Sequence, residues 1–339
     1  MSAELRAPAG WAVGVIGTGR VGAVLGAALA RAGHRVVAGT GVSAESVARA
    51  ARLLPGVPLL PADEVVARAD LVLLAVPDDE LAPLVAGLAE TGAWRPGQLV
   101  AHTSGAHGLA VLEPAARAGV RTLALHPAMT FTGTAADLDR LPGTSFGVTV
   151  DEPLRSLAEA LVRRLGGDPV PIAEEARPLY HAALVVGANH LVTLVNEAAD
   201  LLRRVGVEQP GAVLRPLLQA ALDNALTAGD AALTGPVSRG DAGTVAGHLR
   251  TLAERAPDAV PGYAALARLT AGRALAAGRL SPAQAGPLLD VLGAVPLDRP
   301  PAEPTGPRVP RRSPADRPPA GRSLARSPAD RSLAGRTDA

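Results

Sequence analysis

The chain has 339 residues, a formal net charge of +1, no cysteine and only six aromatic residues. This excludes disulfides, thiolate catalysis and cysteine zinc sites, and leaves neither a bulk field nor stacking platforms for nucleic acid or anionic lipid. All 33 basic residues are arginine, so acid–base chemistry falls to the seven histidines, carboxylates or tyrosine, and no Schiff base can form.

Hydrophobic residues make up 48% of the chain, so the core must be built from Ala, Val and Leu. "MSAELRAPAGWAVGV" has no basic-then-apolar leader pattern, and no stretch reaches ~20 uninterrupted apolar residues. The expectation is a cytoplasmic protein without membrane or nucleic-acid partners.

Residues 11–17, "WAVGVIG", read as a buried strand, and an alanine-rich helix follows, stopping at Gly33. "RVVAGT" at 35–40 gives a second strand, and 43–54 a helix capped by Ser43. "DLVLLAVP" at 70–77, "QLVAHTSG" at 98–105 and "VRTLALHP" at 120–127 are further strands, with Asp78 and Asp79 capping a helix from Glu80. "TSFGVTV" at 144–150, a helix at 153–165 and "PVPI" at 169–172 complete the sheet. Alternating strands and helices predict an α/β fold, a Rossmann-type doubly wound, mainly parallel sheet. From 175 to 206 the pattern is one long helix, followed by helices near 210–228, 241–255, 259–278 and 281–292. The expected domains are therefore a dinucleotide-binding domain at 1–172, an all-helical substrate and dimerisation domain at 173–295, and a disordered Pro/Arg-rich tail at 296–339.

"GTGRVG" sets Gly17, Gly19 and Gly22 in the G-x-G-x-x-G pattern between a strand and a helix, inside a βαβ unit. Gly17 makes the tight turn, Gly19 lets the backbone approach a pyrophosphate, and Gly22 lets the helix lie against the strand. Amides from Thr18, Gly19, Arg20 and Val21 would hold the phosphates. NAD readers carry a carboxylate at the end of the second strand; here "AGTGVS" offers Thr40 and Ser43, with Arg49 or Arg52 beyond. NADP is therefore favoured, with NAD as the alternative. No metal set is visible.

Three polar clusters follow strand ends, where ligands of such sheets lie. Pro77-Asp78-Asp79 follow the third strand, where Val76 and Pro77 would contact the cofactor, His102-Thr103-Ser104-Gly105 the fourth, and His126-Pro127 the fifth. His102 reads as a cofactor-side wall or loop anchor, and Ser104 as a substrate-positioning hydroxyl or a turn residue. His126 is a catalytic candidate because imidazole titrates near neutrality. On the long helix, His181 and Asn189 lie near one polar stripe. In "LTGPVSRGDAGTVAGHL" at 233–249, Ser238 and Arg239 form an anion-ready edge, with Asp241 or Thr244 as cap.

With "HTSG", "HP", "YHAALVVGANHLVTL" and "LTGPVSRGD", residues 11–293 resemble Rossmann-like proteins carrying a C-terminal helical domain of unknown function. These are similar to the 6-phosphogluconate-dehydrogenase-like superfamily, with ketopantoate reductase, pyrroline-5-carboxylate reductase and prephenate dehydrogenase. The resemblance implies an oxidoreductase that dimerises through its helical domain. Ketopantoate reductases use a lysine and asparagines on the first long helix, where this chain has His181 and Asn189. Prephenate dehydrogenases have a histidine in "HP" and a serine after the preceding strand, similar to His126-Pro127 and Ser104.

The expectation is an NADP-dependent enzyme reducing a ketopantoate-like 2-oxo acid by hydride transfer in an interdomain cleft. His126 or His181 would supply the proton, Asn189 and Ser104 would orient the oxygen, and Ser238 and Arg239 would hold the carboxylate. A nucleotide-sensing protein without turnover and a prephenate-type dehydrogenase are the alternatives.

Overall fold

The structure is a computed structural model and describes residues 10–295; the expected disordered tail lies outside them. The chain divides into two compact units, Met1–Pro210 and Gly211–Ala339.

The first unit is built on seven strands: β1 (Ala12–Ile16), β2 (Arg35–Gly39), β3 (Leu71–Leu74), β4 (Leu99–His102), β5 (Arg121–Pro127), β6 (Ser145–Val150) and β7 (Asp168–Pro171). Their order is β2-β1-β3-β4-β5-β6-β7. Every neighbouring pair is parallel except β5 with β6, where His126 pairs with Gly147. Residues 128–144 carry no long crossover helix, so the chain re-enters the sheet from the edge at which β5 left it, and β6 runs backwards.

The helices are α1 (Arg20–Arg31), α2 (Ala44–Leu53), α3 (Ala62–Arg68), α4 (Asp78–Glu90), α5 (Glu113–Arg117) and α6 (Arg155–Arg164). Strand alternation sorts the core into two layers. Val13, Val15, Leu71, Leu73, Leu99 and Leu123 face α1 and α6. Ile16, Val72, Leu74 and Val100 face α3, α4 and α5. Both faces are covered, which is why these strands are nearly continuous apolar runs. Gly14 belongs to this packing: a Cβ there would lie 2.6 Å from a Val65 methyl on α3.

Capping residues decide the helix ends. Ser43 accepts from the Ser46 amide at 3.1 Å, as expected. Asp78 and Asp79 differ from expectation: α4 already starts at Asp78 with Pro77 as N-cap. The two carboxylates therefore lie in the first turn and complement the positive end of the helix.

The expected long helix is present as one helical stretch, Glu174–Arg204, but its middle is not α-helical. The chain forms α7 (Arg177–Leu184), a π-helical segment at Val185–Asn189, and α8 (His190–Arg204). The β-branched Val185 and Val186, followed by Gly187, are weak α-formers, and i→i+5 bonding there takes one residue out of the 3.6-residue period.

The second unit is helical: α9 (Pro210–Ala228, beginning at the unit boundary), α10 (Ala242–Arg255), α11 (Val260–Ala276) and α12 (Pro282–Gly293). Its core joins Val245 and Leu249 to Leu288 and Leu292 across a stripe of Ala267, Ala271 and Ala274, whose small side chains let helices approach closely. Asp241 caps α10 through the Thr244 amide at 2.9 Å, and Ser281 with Gln284 forms a capping box on α12.

Candidate functional site

Two arrangements occupy the carboxyl edge of the sheet. The first lies where β1 and β3 diverge, the switch point at which open α/β sheets take ligands. Gly17 has φ 93, and a Cβ on it would lie 2.6 Å from the Ala75 carbonyl oxygen and 3.2 Å from Val76. A Cβ on Gly22 would run into the Gly17 carbonyl oxygen. A Cβ on Gly19 would meet nothing within 4 Å. Gly19 is the N-cap of α1 and no side chain caps it, so the first amides of the helix, from Arg20 to Gly22, have no intrahelical partner. That opening accepts a diphosphate: bare donors, a positive helix end and no side chain in the way.

The expected cofactor contacts divide. The Thr18 amide donates to the Thr40 carbonyl at 2.8 Å and the Gly17 amide to Thr40 Oγ1 at 2.7 Å. Thr18 is wholly buried, its hydroxyl also on the Thr40 carbonyl. Both threonines therefore tie the turn to the end of β2, and the Thr18 amide is not a phosphate donor. Ser43 is occupied as a cap but exposed. Pro77 is exposed beside the cradle, and Val76 packs on Gly17. Arg20 and Arg49 converge on one loop glycine: a Cβ on Gly133 would lie 2.5 Å from Arg49 Nε and 3.1 Å from Arg20 Cγ. Arg20, from the first turn of α1, and Arg49, from α2, thus meet at this loop. Asp137, wholly buried, shapes that loop by accepting from the amides of Thr132 at 2.9 Å and Gly133 at 2.7 Å.

The second arrangement is formed by β4, β5 and α7. His102 is wholly buried; its Nε2 donates to the Gly108 carbonyl at 2.7 Å and its Nδ1 accepts from the Ser104 amide at 3.1 Å. Burial pulls its pKa down to about 4 against the opposing Gly108 bond, so the ring is neutral. Of the two readings of His102, the loop anchor holds and the cofactor wall does not. Ser104 Oγ accepts from the amides of Ala106 and His107, each at 3.2 Å: it is a turn residue, and its expected place as a substrate-orienting group is corrected accordingly.

The turn brings Gly105 against two imidazoles. A Cβ on Gly105 would lie 2.7 Å from His181 Cδ2 and 3.0 Å from His126 Nε2. The two rings stand edge to face with centroids 6.1 Å apart. Both histidines singled out from the sequence are therefore gathered on one glycine. His126 Nδ1 is 2.9 Å from the Tyr180 hydroxyl. Burial first, then the Arg177 charge and His181, lower the His126 pKa to about 4. At neutral pH this imidazole is uncharged, which corrects the expectation that it stores a transferable proton as an imidazolium.

Arg177 and Tyr180 were not expected here. The signal was available, since Arg177, Tyr180 and His181 are spaced i, i+3, i+4 and share a helix face. Asn189 does not join them. It is exposed at the end of the π-helical segment, eight residues and about 12 Å along the axis from His181 at 1.5 Å per residue. In the second unit, Ser238 is buried with its hydroxyl on the Gly235 carbonyl at 3.1 Å, so it braces the turn instead of offering an anion contact. Arg239 is exposed.

Comparison with known proteins agrees with this architecture. A family model described as a Rossmann-like domain matches residues 1–127, and the domain of unknown function DUF2520 matches residues 144–270. No protein in the curated set matches the sequence. Among solved structures, the chain is similar to BF3122 from Bacteroides fragilis, provisionally named an NADP oxidoreductase. That likeness has a TM-score of 0.65 and 24% identity, over 77% of this chain and 98% of that one. Protein TM1727 from Thermotoga maritima follows at 0.59 and 19%, over 78% and 99%. An NADH-preferring ketol-acid reductoisomerase from an uncultured archaean gives 0.53 and 18%, over 65% and 70%. At these identities the likeness is one of fold. The two family models thus match successive parts of the chain, in the order its motifs resemble.

Proposed function

We propose that the protein is an NADP-dependent oxidoreductase that reduces a small 2-oxo acid of the ketopantoate kind. One observation carries the reading: a glycine cradle open at Gly19 and an imidazole pair seated on Gly105 share the carboxyl edge of one sheet. Oxidoreductases among the structural neighbours support it.

Bound NADPH would supply the hydride. The amides opening α1 would hold its diphosphate, and Arg20 and Arg49 supply the cations that a 2′-phosphate requires. His126, neutral, offers a hydrogen bond to the carbonyl oxygen. His181 is left as the proton donor to the alkoxide, the other imidazole at Gly105.

The test is NADPH consumption with ketopantoate and a panel of 2-oxo acids. The wild type turns over; His181→Ala loses at least a hundredfold in kcat while calorimetry still records NADPH binding. Binding without turnover across the panel would identify a nucleotide sensor instead, and absence of binding to either dinucleotide would end the reading.

A further inference from the structure

Arg177 is a cation inside the protein, 0% exposed. Its guanidinium donates to Thr149 Oγ1 at 2.7 Å and to three carbonyls: Gly147 at 2.9 Å, Ala124 at 3.0 Å and Ser104 at 3.3 Å. These acceptors come from β5, β6 and the turn after β4, and none is a carboxylate. Glu174, the acid that acts on it, accepts from the amides of Leu109 at 2.6 Å and Ala110 at 3.0 Å. An interior cation held only by neutral dipoles keeps its field, and a low-dielectric surround passes that field to whatever lies beside it.

Tyr180 lies beside it, its ring centre 5.8 Å from the guanidinium carbon. The phenol sits against Gly147, where a Cβ would come within 2.7 Å of the hydroxyl oxygen. His126 Nδ1, 2.9 Å from that oxygen, is the acceptor within reach of the phenol proton. An imidazole that accepts at Nδ1 carries its proton on Nε2, and Nε2 is the atom facing Gly105.

We propose that Tyr180 and Arg177 are positioning residues for His126: Tyr180 fixes its Nε2–H tautomer and aims that N–H over Gly105, while Arg177 ties the start of α7, which carries Tyr180, to β5 and β6. His126 is then a fixed hydrogen-bond donor that never spends a proton, the electrostatic role of a preorganised dipole facing developing negative charge. The groups facing His126 do not all act in one direction. Arg177 and His181 from α7 and His102 from β4 oppose a positive ring, and Asp78 from α4 alone favours one. The catalytic meaning of this device rests on the oxidoreductase reading; the tautomer itself does not.

Two-bond proton–nitrogen NMR on the 15N-labelled full chain, without substrate, reads the tautomer directly. The expected spectrum shows His126 protonated on Nε2 alone and uncharged down to pH 5. Tyr180→Phe, which deletes only the hydroxyl, should give mixed tautomers, and Arg177→Met should raise the pH at which His126 protonates by a unit or more. In the turnover assay, Tyr180→Phe should lower kcat about tenfold and leave KM within twofold. A wild-type ring protonated on Nδ1, or an unchanged tautomer in Tyr180→Phe, overturns the proposal whether or not any 2-oxo acid is reduced. If Arg177→Met does not fold, the Tyr180→Phe spectrum decides alone.

Discussion

Gly19 and Gly22 stand three residues apart, and a methyl group on each does opposite things. At Gly22 it strikes the Gly17 carbonyl oxygen, a backbone atom that cannot rotate away; Gly22→Ala should therefore cost roughly 1–3 kcal/mol or more, as overpacking does. At Gly19 the methyl meets nothing within 4 Å, and the folded state should tolerate it, while the space in front of the free amides is lost. Gly19→Ala is expected to keep its melting temperature and bind NADPH at least tenfold more weakly. Thermal melts and calorimetry on the pair separate a packing glycine from a ligand glycine; equal loss of stability would remove the distinction. This logic was legible in the sequence because the atom nearest Gly22, the Gly17 carbonyl oxygen, lies in the same turn. The roles of Thr18 and Thr40 were not. Their hydrogen bonds cross more than twenty residues to join the ends of β1 and β2, and only the fold shows that a polar side chain near the cofactor is already occupied.

The edge formed by β4, β5 and α7 stores acid sensitivity. His102 and His126 each have pKa values near 4 in the folded protein, below the value of about 6.5 expected in the unfolded chain. Their contribution to stability is complete above pH 6.5, declines below it as the unfolded chain takes up protons first, and is gone below about pH 4. For His102 alone, wholly buried, that is about 3 kcal/mol. His34 acts in the same direction: it is buried, stacked on Trp11 at 5.2 Å, with neither ring nitrogen hydrogen-bonded. Urea unfolding at pH 7, 5.5 and 4.5 should show a falling midpoint, and His102→Gln should be weaker at pH 7 yet lose less on acidification. A flat profile in the wild type would contradict the neutral, buried imidazoles. At this scale the strand starts were read from sequence to within one residue, while β3 and β4 end three residues before the runs expected for them, at the polar clusters those runs included. The long helix was misread at its middle. Its 3.6-residue spacing was projected through Val185–Asn189, where the chain bonds i→i+5, and so Asn189 was drawn toward His181 on a phase the helix does not keep.

Among the described residues, each unit leaves apolar helix surface uncovered. Leu179, Val186 and Val192 on the first unit's helices are 77%, 62% and 59% exposed, and Leu217 and Leu226 on α9 are 64% and 79% exposed. By length and composition alone, the helical stretch Glu174–Arg204 could cross a membrane, with none of its most apolar window buried. Its start belongs to the first unit: Arg177 is held by the turn after β4, by β5 and by β6, and Tyr180 is bonded to His126. On each unit such surface is of the kind that interaction sites carry, and we propose a second copy, related by a two-fold axis, as the occupant on α9. The expected species is a homodimer in light scattering at micromolar concentration. A Leu217→Arg/Leu226→Arg variant should be monomeric with an unchanged circular dichroism spectrum, because neither side chain belongs to a buried core. A wild-type monomer, or an arginine variant that stays dimeric, would show that these residues are not the contact. The test also bears on His181, which lies on the same helical stretch as Val186 and Val192: if monomers keep their NADPH affinity but lose turnover, the partner is part of the working site, and if they keep both, each chain is complete in itself.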